Sequence, residues 1–189
     1  MIEFHPLTWQ QFHQDVFELS KKVEASGQNF DRIICIDRGG AMVARFLSDF
    51  LGLKISSFVM VAYKEVGKLS YPQIMEELKT DINDERVLLV DEIIDSGSSF
   101  EVALEYLQKL QPQKIMTLAP YIKPISRFKP DFWQVETSKW VVFPYEVRET
   151  IKDVAKILGE QGKTEIEIEK QIKEFGFSDE QLSYFFKVE

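Results

Sequence analysis

Residues 87–100, VLLVDEIIDSGSSF, set an apolar run against three carboxylates and a turn of small hydroxyl residues. Val87 to Val90 read as a buried strand, yet Asp91, Glu92 and Asp95 follow at once. Like charges so close repel, so a partner from outside the chain is expected to make the cluster tolerable. Ser96, Gly97, Ser98 and Ser99 offer hydroxyls, backbone N–H groups and the positive end of a helix dipole, a combination suited to a phosphate. Gly97 lets the backbone approach closely. The carboxylates upstream can take sugar hydroxyls or coordinate Mg2+, a hard cation that prefers oxygen. A capped helix start after an acidic turn would account for either half alone. Both halves together, behind an apolar strand, point to a sugar phosphate held at its two ends.

The elements that position this stretch alternate. Thr8 opens a capping-box pattern with Gln11, and Trp9, Phe12, Val16, Leu19 and Val23 form one helical stripe. RIICI (32–36) reads as a buried strand with DRGG as its turn, followed by a helix over 41–51 stopped by Gly52. Strands follow at 54–63, 86–90, 114–122, 132–136 and 140–143, with a short helix at 72–80 and another over 98–110 before Pro112. Strands alternating with helices imply an α/β fold, a mainly parallel twisted sheet covered on both faces. The chain is expected to divide into a domain over 1–146 and a helical C-terminal extension over 147–189. In that extension Ile151, Val154, Ala155 and Leu158 share one side, Thr164 and Ser178 cap two further helices, and Gly176 separates them. It reads as a packing or assembly element.

Composition narrows the partners. The 189 residues carry a formal charge of −8, which argues against nucleic acid and anionic membranes as partners. One cysteine, Cys35, rules out an internal disulfide and fits a reducing compartment; inside an apolar strand it reads as a small core residue. No apolar run reaches membrane-spanning length and no signal-peptide pattern opens the chain, so the cytoplasm is the expected location. There is no G-x-x-x-x-G-K-[ST] and no G-x-G-x-x-G. His5 and His13 are the only histidines, which leaves little for zinc.

Residues 87–99 resemble the phosphoribosyl-diphosphate-binding signature of the type I phosphoribosyltransferases: a hydrophobic strand, two acids, two aliphatics, then Asp-Ser/Thr-Gly-x-Ser/Thr. Glu92 stands where that family more often has Asp, which lengthens one carboxylate and keeps its charge. The resemblance covers roughly residues 32–146. It implies that Asp91 and Glu92 hold the ribose hydroxyls, with Glu92 also near Mg2+. Asp95 would be the catalytic group, facing the base nitrogen, and Ser96, Gly97, Ser98 and Ser99 would cradle the 5′-phosphate. DRGG resembles the diphosphate loop, in which Arg38 can neutralise oxygens while Gly39 and Gly40 let amides turn inward. KEVGKLSY (64–71) has the length of a closing lid, whose Lys64 or Lys68 is the candidate contact to diphosphate.

Two further segments resemble the xanthine-guanine branch of the family. Lys123, followed by Pro124, would donate to a purine 6-oxo group. Trp140 would stack on the base, and the backbone of Val141 would meet its edge. The expected reaction is transfer of the 5-phosphoribosyl group from phosphoribosyl diphosphate to guanine, xanthine or hypoxanthine, with Mg2+ as cofactor and a homo-oligomer, dimer or tetramer, as the assembly. Other readings on the same fold are a protein that senses phosphoribosyl diphosphate or a nucleotide to regulate transcription, and a transferase with a pyrimidine or adenine acceptor.

Overall fold

A strand apolar on every residue must be covered on both sides, and the fold supplies that cover. The computed structural model describes residues 2–62 and 71–186. In chain order its elements are β1 (Phe4–Pro6), α1 (Trp9–Ala25), β2 (Arg32–Asp37), α2 (Gly40–Leu51), β3 (Lys54–Ala62), β4 (Pro72–Glu76), β5 (Arg86–Val90), β6 (Ile93–Ile94), α3 (Ser98–Gln108), β7 (Lys114–Ile122), β8 (Phe132–Glu136), β9 (Trp140–Val142), α4 (Val147–Glu160), α5 (Glu165–Glu174) and α6 (Asp179–Phe185). The chain gathers into two compact units, residues 13–138 and residues 1–12 with 139–189; residue 146 falls inside the second.

The first unit is built on a seven-stranded sheet. Its order is β4-β3-β2-β5-β7, with β6 and β8 both paired to β7. Every pairing is parallel except that of β4 with β3. Ile34, Ile36, Val87 and Leu89 face a core closed by Phe100, Ala103 and Leu107 of α3. The alternate residues Ile33, Cys35, Leu88 and Val90 are buried as fully, so both faces are covered. α2 ends where the sequence indicates, with Gly52 in the left-handed conformation at φ 67°.

Residues 72–80 depart from expectation. Instead of a short helix, Pro72–Glu76 pair antiparallel with β3 as an edge strand. Nine residues are too few to sustain a helix unaided, whereas the edge of β3 satisfies backbone groups directly. Proline at the first position of an edge strand sacrifices no ladder bond that the sheet needs.

In the second unit β1 pairs parallel with β9, setting Phe4 opposite Trp140 and His5 opposite Val141. Gln11 N–H donates to Thr8 Oγ1 at 3.0 Å, the cap expected at the start of α1. Ile151, Val154 and Leu158 of α4 share a core with Ile168 and Ile172 of α5 and Leu182 of α6. Thr164 and Ser178 form complete capping boxes with Glu167 and Gln181, and Gly176 turns at φ 97°. Among the described residues no helix is long and apolar enough to cross a membrane.

One polar contact inside the first unit was not foreseen. Tyr121 on β7 is fully buried, and its hydroxyl donates to Asp15 Oδ2 of α1 at 2.6 Å. Burial, and then the bond and charge of Asp15, hold the phenol well above its usual pKa. Tyr121→Phe removes a donor from a carboxyl group only 6% exposed. The variant is expected to lose about 1–3 kcal/mol of stability, read as a lower urea midpoint at unchanged m-value.

Candidate active site

Two loops meet beyond the carboxyl ends of β2 and β5, the region where parallel α/β sheets bind ligands. The first is Asp37-Arg38-Gly39-Gly40, whose Asp37–Arg38 peptide is cis and whose glycines begin α2. The second is Asp91-Glu92. A β-carbon on Gly39 would overlap the Glu92 carboxylate, and one on Gly40 would press on the Val90 carbonyl. Glycine at both positions is thus a matter of space: the loops interlock, and a carboxylate occupies the volume of a missing side chain. Arg38 itself is exposed.

The acids sit at an interruption of the sheet. Val90 pairs with Leu118 and Ile93 with Tyr121, so β6 resumes along β7 in the register that β5 left. Asp91 N–H still donates to Leu118 O at 3.2 Å, and Asp91 Oδ1 accepts the Glu92 N–H at 3.0 Å. Both side chains are half-buried, while Asp95 is exposed.

Beyond β6 the chain turns through Ser96 and Gly97 into α3. Gly97 takes φ 95°, a conformation that other residues rarely adopt, and has no side chain with which to cap the first-turn amides. The Ser96 and Ser98 hydroxyls lie 3.0 Å apart, and Ser99 is half-buried in the first turn. The stretch can present hydroxyls and helix N–H groups to an anion.

Lys123 follows β7, its N–H donating to Ile94 O at 2.9 Å. Burial lowers the pKa of its ammonium, and the charge of Asp95 partly opposes that shift. Arg38, Gly39, Asp91, Glu92, Asp95, Ser96 to Ser99 and Lys123 therefore all belong to one unit, with Glu92 against Gly39 and Lys123 within electrostatic reach of Asp95. Trp140 and Val141 open β9 in the other unit: Trp140 is 38% exposed and its N–H donates to Glu3 O at 2.8 Å, while Val141 is buried. Lys64 and Lys68 lie outside the described residues.

Sequence reasoning passed over the segment 126–128. Arg127 N–H donates to Ser96 O at 3.2 Å, and a β-carbon on Gly97 would overlap that of Phe128. The only sign of it in the chain is an aromatic in a proline-punctuated loop, apolar without a periodic partner.

Residues 7–166 match the phosphoribosyl transferase domain family, a span wider than the motifs alone suggest. The chain belongs to that family. This phosphoribosyltransferase is thus an enzyme of the glycosyltransferase type. It is 27% identical over 149 residues to the xanthine-guanine phosphoribosyltransferase of Gluconobacter oxydans (strain 621H), covering 77% of this chain and 86% of the relative. The purine phosphoribosyltransferase of Pyrococcus horikoshii Ot3 is 32% identical, with a TM-score of 0.68 over 75% of this chain and 93% of that one. The xanthine-guanine-hypoxanthine phosphoribosyltransferase of Helicobacter pylori is 28% identical, with a TM-score of 0.69 over 80% and 99% of the two chains.

The opposing influences on Lys123 give a testable sign. Burial favours the neutral amine and Asp95 favours the ammonium. Removing the carboxylate charge in Asp95→Asn is expected to move the Lys123 titration further down, so that the amine is deprotonated at a lower pH than in the wild type. The pH dependence of amine labelling at Lys123, followed by mass spectrometry, reads this directly. An unchanged or raised titration would separate the two groups.

Proposed function

We propose that this phosphoribosyltransferase transfers the 5-phosphoribosyl group of phosphoribosyl diphosphate to a 6-oxopurine (guanine, xanthine or hypoxanthine), giving a nucleoside monophosphate and diphosphate in purine salvage. The observation that carries the reading is Lys123, held by a main-chain bond to Ile94 O and in electrostatic contact with Asp95 beside the serine turn. The purine and xanthine-guanine enzymes to which the chain is similar support the same acceptor class.

In this mechanism the amides and hydroxyls of Ser96 to Ser99 hold the 5′-phosphate, with α3 adding its dipole. Asp91 and Glu92 accept hydrogen bonds from the ribose hydroxyls. Arg38 and the Gly39 amide face the diphosphate, and Lys64 or Lys68 is the candidate lysine contact to it. Trp140 stacks on the base while the Val141 backbone meets its edge. The bond from ribose C1 to the diphosphate oxygen breaks, diphosphate leaves with the electron pair, and the base nitrogen forms the new bond to C1. Asp95 takes the proton that this nitrogen sheds.

The donor set fits a magnesium ion. Asp91 and Glu92 provide the carboxylate oxygens that a hard cation prefers, with Glu92 folded over Gly39. Among the described residues no group of three or more His, Cys, Asp or Glu is placed to hold a metal, so substrate oxygens and water would complete the shell. When bound, Mg2+ would neutralise charge developing on the leaving diphosphate. We place the enzyme in the cytoplasm as a homo-oligomer, with residues 147–189 as a helical packing or assembly element.

Purified protein given Mg2+, phosphoribosyl diphosphate and a panel of bases tests the reading. An ammonium has three donors and no acceptor, so it can bond a 6-oxo group but meets only donors at the 6-amino group of adenine. Oxopurines are expected to be used and adenine rejected by up to about 10⁴-fold in kcat/KM. Lys123→Ala should cost the oxopurines far more than adenine. Comparable wild-type values for adenine and guanine would sink the assignment.

Metal removal is a second test. With only two protein carboxylates in the donor set, EDTA is expected to abolish turnover while the circular dichroism spectrum and melting temperature stay unchanged. Full activity in metal-free buffer would contradict this part of the mechanism.

A further inference from the structure

We infer that Phe128 is a positioning residue for the phosphate loop, acting from behind Gly97 on the amides of residues 96–99; this rests on the transfer reading above. Gly97 carries the turn at φ 95°, and the volume its side chain would fill is taken by the β-carbon of Phe128. The Phe128 backbone N would also lie 3.0 Å from that added carbon. On the other side the Phe128 ring stacks on Phe100, in the first turn of α3, with centroids 5.2 Å apart and planes 18° from parallel. One residue earlier, Arg127 N–H donates to Ser96 O at 3.2 Å. The loop is thus gripped at its start, its middle and its helical exit by two consecutive residues.

Those two residues are themselves fixed. Ser126 Oγ donates to Phe128 O at 2.7 Å and accepts the Phe128 N–H at 3.2 Å. Ser126 N–H donates to Lys123 O at 3.0 Å, closing a turn whose first residue is bonded to Ile94. The turn from 123 to 128 is therefore pinned at both ends by separate main-chain bonds, one under Lys123 and one under Ser96. Loss of the Phe128 ring removes the stack on Phe100 and leaves both main-chain bonds in place. A left-handed glycine has many alternatives open to it. The Phe128 β-carbon and backbone stay behind Gly97 when the ring is removed, but the first turn of α3 loses its stacked neighbour. The first-turn amides are then less firmly held on one phosphate position, and small misplacements of that kind weaken recognition steeply.

The test uses the full chain and ribose 5-phosphate as the probe, by calorimetry with Mg2+, together with separate KM values for phosphoribosyl diphosphate and guanine. Phe128→Ala is expected to weaken ribose 5-phosphate, and to raise the KM for phosphoribosyl diphosphate, by about 10- to 100-fold, with the guanine KM unmoved. Phe128→Leu, which restores apolar volume without the stacking plane, should recover part of the affinity. Met60→Ala on β3 removes a side chain packed on the same core and is the control: it should lower the melting temperature without changing the probe's affinity. Wild-type affinity in Phe128→Ala, or an equal loss in Met60→Ala, overturns the role of Phe128 and leaves the transfer reading intact. A wild type that binds ribose 5-phosphate in a Phe128-dependent way but transfers to no purine overturns the acceptor reading alone. A wild type that does not bind the probe overturns both.

Discussion

Backbone pairing along β7 is the constraint on which the site depends. One edge of this strand is shared by β5 and β6, the other by β8. A buried N–H or C=O left without a partner costs about 1–3 kcal/mol, so an interruption in such a ladder persists only where its groups find substitutes. At Asp91 and Glu92 they do: the Asp91 amide keeps its bond to β7 and the Asp91 carboxylate takes the Glu92 amide. Pairing then resumes in register, which keeps Ile94 in the core and carries the ladder one rung past β7, where Ile94 O receives Lys123 N–H. A slip of one residue would turn every buried side chain to the opposite face. The same slip would dismantle the acid pair and the serine turn together.

Space and charge reinforce that frame. The Glu92 carboxylate can fold inward only because Gly39 has no side chain, and α2 can begin there only because Gly40 lets it approach Val90. The acids also act on what lies beneath them. Burial first, then the charges of Asp37 and Asp91, push the Cys35 thiol up to about 12. A thiol so shifted is no nucleophile at neutral pH, and Cys35 remains a small apolar filler beside the site. Lys123 feels the reverse balance, destabilised by burial and supported by Asp95.

Features set by local chemistry were legible in the chain. Four-residue apolar runs specify doubly covered strands, and the boxes at Thr164 and Ser178 announce helix starts through contacts three residues apart. The acid pair and serine turn were legible because one short stretch holds both. What escaped depends on partners distant in the chain. Pro72–Glu76 could not be read as a strand without knowing that β3 had an open edge. Ile93 and Ile94, two residues between acids, become β6 only through the register of β7. Phe128 and the Asp15–Tyr121 bond likewise join segments that no periodicity connects.

The same distinction bears on Trp140, whose proposed stacking role says nothing of what orients it. β1 and β9 form a ribbon of only three residue pairs, and a two-stranded ribbon is at best marginally stable alone. Within its unit the ribbon is anchored at several points. Trp140 N–H donates to Glu3 O, Lys139 pairs with Glu3 at 3.2 Å, and Leu7 N–H donates to Val142 O at 3.0 Å. Val142 is part of the core that Ile151, Ile172 and Leu182 complete, and the Phe4 ring meets that of Phe175 at 5.1 Å. The backbone of Trp140 is therefore held by the first residues of the chain and, through Val142 and Phe4, by helices near its end. Helices outside the signature motifs thus supply the apolar burial that a three-pair ribbon cannot supply for itself.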